Sequence, residues 1–181
     1  MANDKILIVI DMQNDFVTDA LENKEAQLIT DGLAAKVEEY MQQDIPVFFT
    51  RDTHAENYME TQEGKFLPVP HCIKGTKGWE IIDALSKYAD ESNTLDKLTF
   101  GAVNLPAWLE SKLGADAMNE LEEIQLCGVC TDICVISNAM ILKGSYPEKK
   151  ISVLSEFCAG VTPESHETAL NAMKSCQMYI L

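Results

Sequence analysis

The chain is short of basic residues, of histidine and tryptophan, and of long hydrophobic runs. Fourteen lysines and arginines stand against 29 aspartates and glutamates, a formal net charge of -15, and no stretch gathers the basic residues into a stripe. A surface of that sign repels a phosphate backbone, so no nucleic-acid partner is expected. The first apolar run, residues 6–10, is five residues long. That is too short for the core of an export signal or for a membrane span of roughly 20 residues. The expectation is therefore a cytoplasmic protein with no membrane partner. Internal repeats, low-complexity stretches and linkers are absent from the 181 residues, and 46% of them are hydrophobic. This is enough to bury one core around a preformed pocket, so one domain, 1–181, is expected. A serine elbow, a GxGxxG fingerprint and a phosphate-binding GK[ST] loop are also missing; each would have pointed to a different chemistry.

Cysteine, by contrast, is plentiful: Cys72, Cys127, Cys130, Cys134, Cys158 and Cys176. In a reducing compartment these stay thiols, which raises thiol chemistry or metal binding rather than disulfides. Apolar runs recur at 6–10, 46–50, 93–98, 124–129, 151–154 and 178–181. Their continuous character suits strands covered on both faces. Between them lie segments with helical spacing, such as Leu28, Leu33, Val37, Tyr40 and Met41, then Trp79, Ile82 and Leu85, then Trp108, Leu109 and Leu113. Ile133, Ile136 and Met140 continue the series, followed by Ala169, Ala172 and Met173. Alternating strand and helix predicts an α/β fold, a parallel sheet with helices on both sides. Sites in such sheets gather beyond the carboxyl ends of the strands, near a topological switch point.

Those strand ends carry the reactive residue types. Asp11 follows the first strand and is either a pocket base or the cap of a turn. Lys97 ends the third, either solvated or turned inward. The fourth runs into Cys127-Gly128-Val129-Cys130-Thr131-Asp132-Ile133-Cys134, which places Cys134 in the first turn of a helix, where backbone N–H groups and the helix dipole favour a thiolate. A nearby carboxylate can take the thiol proton and an ammonium can stabilise the charge, so Asp11, Lys97 and Cys134 together can supply all three roles. Cys127 and Cys130 have the spacing of a redox pair, but Cys127 falls inside the strand and reads as a core thiol, like Cys158 and Cys176. After the second strand come Asp52-Thr53-His54 and, across the long 51–77 segment, His71. An Asp and a His two apart on extended chain point the same way, and a distant His can close a metal site. Glu63 is a further ligand candidate and Cys72 a weaker one. His166 reads as a surface residue among acids.

These segments, in this order, resemble the isochorismatase-like cysteine hydrolase superfamily, and within it the nicotinamidase (pyrazinamidase) branch. The resemblance rests on residues 10–16, 97–102 and 128–135 and spans nearly the whole chain. It implies a three-layer α-β-α sandwich around a six-stranded, mostly parallel Rossmann-like sheet. It further implies that Asp11 is the base, Lys97 the charge stabiliser and Cys134 the nucleophile on a small-molecule amide such as nicotinamide. A cis bond between Val129 and Cys130 would turn the backbone N–H groups of Cys130 and Cys134 toward the oxyanion. Asp52, His54 and His71, with Glu63 as a fourth candidate, fall on the ligands of a divalent metal, zinc by preference. Phe16, Phe100 and Val129 fall on the substrate pocket, with Trp79 and Tyr58 as other aromatic candidates, and a homo-oligomer is implied. The sequence departs from many nicotinamidases at Thr53, where an aromatic is usual. Three alternatives stay open: a metal-independent hydrolase of a ureido or carbamoyl compound, a non-catalytic metal-binding module of the same fold, and a thiol redox protein using Cys127 and Cys130.

Overall fold

A computed structural model describes residues 4–181. Its strands are β1 (Lys5–Ile10), β2 (Val47–Asp52), β3 (Thr94–Lys97), β4 (Glu123–Val129), β5 (Lys150–Ala159) and β6 (Tyr179–Ile180). They form one sheet in the order β3-β2-β1-β4-β5-β6, with every pairing parallel. The expected architecture is thus present, and the sheet is wholly rather than mostly parallel. β1 reads KILIVI and is buried from Ile6 onward, as a central strand covered on both faces must be. β3 alternates half-buried and buried residues, as suits an edge. β5 is longer than the apolar run at 151–154 because its register shifts: Val153 pairs with Leu126, whereas Cys158 pairs with Gly128.

The helices are α1 (Asn14–Val17), α2 (Lys24–Gln42), α3 (Gln62–Phe66), α4 (Asp83–Ser86), α5 (Leu105–Leu113), α6 (Ala115–Glu120), α7 (Ile136–Ser145) and α8 (Pro163–Ser175). α2 starts where the Asn23 side chain accepts from the N–H groups of Glu25 and Ala26, occupying donors that a helix start otherwise leaves unpaired. Its buried face is Ala26, Leu33, Val37 and Tyr40. Leu28 and Met41, assigned to that face on spacing, are exposed. The Trp79–Leu85 spacing yields only the single turn α4, because the segment before it is tied down by Asn14, whose side chain donates to the carbonyls of Lys77 and Glu80. α2 packs with α4, while α5, α7 and α8 pack in succession. That grouping follows from right-handed crossovers running outward from β1 in one direction and from β4 in the other.

The chain therefore reverses direction between β1 and β4, and the residues leaving these two strands face a common crevice. Gly128 permits their close approach. Its φ is +107, and a Cβ there would lie 2.1 Å from the Ile10 carbonyl oxygen. We predict that Gly128→Ala lowers stability by about 1–3 kcal/mol or more, since both the left-handed backbone and the contact oppose it. Thermal unfolding checks this; an unchanged midpoint would contradict the packing described.

Candidate active site

Four strand ends converge on Lys97. Its side chain is fully buried, and its ammonium lies 2.7 Å from Asp11 Oδ2, 3.0 Å from Asp52 Oδ1 and 3.4 Å from Cys134 Sγ. Asp11 leaves β1 with φ +48, and its other oxygen accepts from the Thr50 hydroxyl at 2.7 Å. The solvated reading of Lys97 and the turn-cap reading of Asp11 are both excluded by this burial and pairing.

The charges of this cluster are interdependent. Burial raises the Asp11 carboxyl above its ordinary value, Lys97 opposes that rise and Asp52 adds to it. Burial also works against the charge of Asp52, but His54 and Lys97 outweigh it and hold this carboxyl below its ordinary range. Burial disfavours the Lys97 ammonium too, yet Asp11, Cys134 and Asp52 together push its pKa well up. For Cys134, burial and then Asp11 push the thiol well above its ordinary value against the pull of Lys97. Burial and the carboxylates therefore oppose the thiolate that the helix-terminus argument favours: two carboxylates share one ammonium, and a third negative charge has no counterion. The surrounding backbone differs as well. Cys134 sits in a π-helical turn, Thr131–Val135, ahead of α7 rather than in the first turn of an α-helix. There the Cys130 carbonyl accepts from the Ile133 and Val135 N–H groups, passing over that of Cys134. The Val129–Cys130 peptide is cis, as the resemblance implied.

Asp52, His54, Glu63 and His71 offer four ligand atoms within 4.8 Å of one another. His54 Nε2 is 2.9 Å from Asp52 Oδ2 and 3.6 Å from Glu63 Oε1, and His71 Nε2 is 3.7 Å from each of those oxygens. Tetrahedral bonds of zinc length would place neighbouring ligand atoms about 3.3 Å apart. The buried His54 Nε2 stands close to Asp52 Oδ2 without a well-aligned hydrogen bond to it, as a metal-facing ring nitrogen would. His71 Nδ1 lies 2.9 Å from the Val69 carbonyl, which makes Nδ1 the donor and leaves Nε2 as a bare lone pair aimed at the cluster. Two imidazoles and two carboxylates thus fit a divalent ion such as zinc. The Tyr58 ring stacks edge-on against both imidazoles, at 4.7 and 5.0 Å between centroids. Cys72 is no member of this group; its backbone N–H binds Asp15 and burial raises its thiol.

A cavity of about 920 Å³ joins the two clusters, with Cys134, Asp52, Glu63 and His71 on its wall together with Phe16, Phe100 and Cys130. Of the expected pocket residues, Phe16 and Phe100 line it. Val129 does not: it is wholly buried in β4. Tyr58 lies behind the histidines, and Trp79 turns its Nε1–H to Thr53 Oγ1 at 2.8 Å, which gives Thr53 its structural use. Cys127 is buried with its sulfur toward the Ile8 carbonyl, and all six cysteines are free. With its thiol buried and raised well above the ordinary value, Cys127 is no exchangeable partner for Cys130, as the core-thiol reading had it.

Several working side chains escaped the sequence reading. Gln13 accepts from the Asp52 N–H at 2.7 Å and donates to the Asp52 carbonyl at 2.9 Å, fixing the backbone between the two clusters. Asp15 accepts from the Cys72 N–H beside His71. His166, taken as a surface residue, is half-buried and bonds through Nδ1 to the Thr131 hydroxyl at 2.8 Å, at the start of the turn that carries Cys134. The one available signal was polar residues directly after an apolar strand.

The isochorismatase domain family matches residues 5–181. The chain belongs to the isochorismatase family. Among relatives, PncA, an isochorismatase family protein of Bacillus subtilis, is 30% identical over 92% of each chain. A probable inactive nicotinamidase of Arabidopsis thaliana is 28% identical over 93% of this chain and 87% of its own length. Among solved structures, the pyrazinamidase/nicotinamidase of Streptococcus mutans superposes with a TM-score of 0.82 at 29% identity, covering 98% of this chain and 99% of that one. The pyrazinamidase of Pyrococcus horikoshii in complex with zinc gives 0.79 at 26% identity over 99% of both. Among the described residues no helix is long and apolar enough to cross a membrane.

The buried charge set yields a stability prediction. Lys97→Met leaves Asp11 and Asp52 without their shared cation and should cost about 3–5 kcal/mol. Urea denaturation measures this, and an unshifted midpoint would show that Lys97 does not neutralise the pair.

Proposed function

We propose that this family member is a metal-assisted cysteine amidohydrolase that converts nicotinamide to nicotinate and ammonia. The observation that carries the reading is that one cavity opens onto both sets of residues: Cys134, backed by the buried Asp11 and Lys97, and Asp52, Glu63 and His71 of the ligand set that His54 completes. Binding alone requires no nucleophile, and a plain thiol hydrolase requires no ligand set. The pairing of the two favours an amide attached to a ring with a lone pair. The nicotinamidase and pyrazinamidase neighbours, among them the zinc complex, support the same choice.

Asp52, His54, Glu63 and His71 would hold the ion, which when bound supplies a Lewis-acid anchor for a ring nitrogen. Phe16 and Phe100 flank the flat ring. As the Cys134 sulfur attacks the amide carbon, its proton passes to the Asp11 carboxylate, and an S–C bond forms while the carbonyl oxygen takes the electron pair. That oxygen is stabilised by backbone N–H groups at Cys130 and Cys134. Lys97 offsets the negative charge that moves between sulfur and carboxylate. Collapse breaks the C–N bond, and Asp11 returns the proton to the departing nitrogen, which leaves as ammonia. Water, deprotonated by Asp11, then attacks the thioester, and breaking of the S–C bond restores the Cys134 thiol and releases the carboxylate. A resting thiol suits this sequence, since proton and electron pair move in one step.

Ammonia release from nicotinamide by metal-loaded protein tests the reading. Cys134→Ala should abolish turnover with fold and metal content intact, and His54→Ala should lower metal content and substrate affinity together. Wild-type turnover by Cys134→Ala would refute the mechanism. Metal bound without ammonia release would refute nicotinamide as substrate. A pH profile adds a second check. Asp11 must be ionised to act, and burial raises its pKa above the ordinary 3.8, so kcat/KM should fall on acidification with a midpoint above that value. A midpoint at or below 3.8 would contradict the assignment of Asp11 as base.

A further inference from the structure

Asn138 is wholly buried on α7, one turn beyond Cys134, among the apolar neighbours Val135, Ala139 and Leu142. An amide in such a place costs stability unless its hydrogen bonds are made, and here three are. Its Nδ2 donates to the Cys134 carbonyl at 2.8 Å and to the Phe100 carbonyl at 3.1 Å, while its Oδ1 accepts from the Ala102 N–H at 2.9 Å. The amide orientation is forced: reversed, its oxygen would face two carbonyls and its NH2 an N–H. Gly101, between the two loop contacts, lets the turn lie directly on α7, since a Cβ there would come within 2.6 Å of Ile141 and 3.1 Å of Ser137. Phe100, nearly half exposed, lines the cavity.

We propose that Asn138 is a positioning residue that fixes two parts of the site in one register: the turn carrying the Cys134 sulfur and the turn carrying the Phe100 wall, which also follows directly from Lys97. The inference rests on Cys134 being the nucleophile of the proposed reaction. One side chain thereby couples where the thiol stands to where the ring lies, and an error of about 1 Å in that relation can cost up to ~100-fold in rate.

The two arms can be separated by substitution. A helical threonine donates to the carbonyl four residues back, so Asn138→Thr keeps the bond to Cys134 and releases the Phe100 turn. Asn138→Leu, similar in size, releases both. With metal-loaded full-length protein, Asn138→Thr should raise KM about tenfold while kcat stays within about threefold, the pattern of lost ground-state binding. Asn138→Leu should lower kcat by about 100-fold as well. Iodoacetamide labelling of Cys134, read by peptide mass, should run at the wild-type rate in the Thr variant and more slowly in the Leu variant. A folded Leu variant with wild-type kcat and KM would overturn the proposal. So would identical losses in both variants, which a purely structural role predicts. Should the Leu variant fail to fold, the Thr variant decides alone: raised KM with retained kcat supports the proposal, and wild-type KM overturns it. If the wild type itself releases no ammonia, the substrate assignment falls, and the labelling rates of Cys134 still decide the role of Asn138.

Discussion

A single buried ammonium holds the site together. Lys97 reaches from the edge strand β3 to carboxylates at the ends of β1 and β2 and to the thiol beyond β4, so the ends of four adjacent strands share one cation. Buried charges are tolerated only when paired and hydrogen-bonded. Here the pairing also biases each partner: His54 and Lys97 hold the Asp52 carboxyl below its ordinary range, while burial raises Asp11 and the Cys134 thiol against the pull of Lys97. The all-parallel sheet supplies the geometry, because it delivers all its carboxyl ends to one side.

Around that centre the polar residues act mainly on backbone. Gln13 clasps both the N–H and the carbonyl of Asp52, Asp15 fixes Cys72 beside His71, and Asn138 ties the Cys134 carbonyl to the Phe100 turn. Each joins segments distant in sequence, so the Lys97-centred cluster and the candidate ligand cluster, built on separate loops, stay in fixed relation across one cavity. The preorganisation that the proposed chemistry requires thus comes from ordinary neutral hydrogen bonds rather than from further charge.

Much of this was legible beforehand. All six strands fell on the runs picked out in the sequence; the central ones stood out because buried parallel strands leave an unbroken hydrophobic trace, whereas β3, at the edge, is polar and half-buried at every other position. Asp11, Lys97 and Cys134 were marked by standing at strand ends, and Asp52, His54 and His71 by residue type and spacing. What stayed hidden depended on distance through space. Nothing local in the sequence distinguishes Asn138 or Thr50 from any polar residue in a helix or strand, and the His166 contact with Thr131 spans 35 positions. The electrostatics of Cys134 depend on distance through space in the same way. A helix-terminus argument concerns a few neighbouring residues, whereas the Cys134 thiol answers to burial and to Asp11. Val129 was misplaced because the last residue of a central strand points into the core as readily as into the crevice.

The proposed chemistry passes through a covalent acyl intermediate on Cys134, and that intermediate can be intercepted. Hydroxylamine added during turnover of nicotinamide should divert product from the carboxylate to the hydroxamate, increasingly with its concentration, without slowing ammonia release. Carboxylate as the sole product at every hydroxylamine concentration, with turnover undiminished, would mean that water attacks the amide directly and that Cys134 is not the nucleophile.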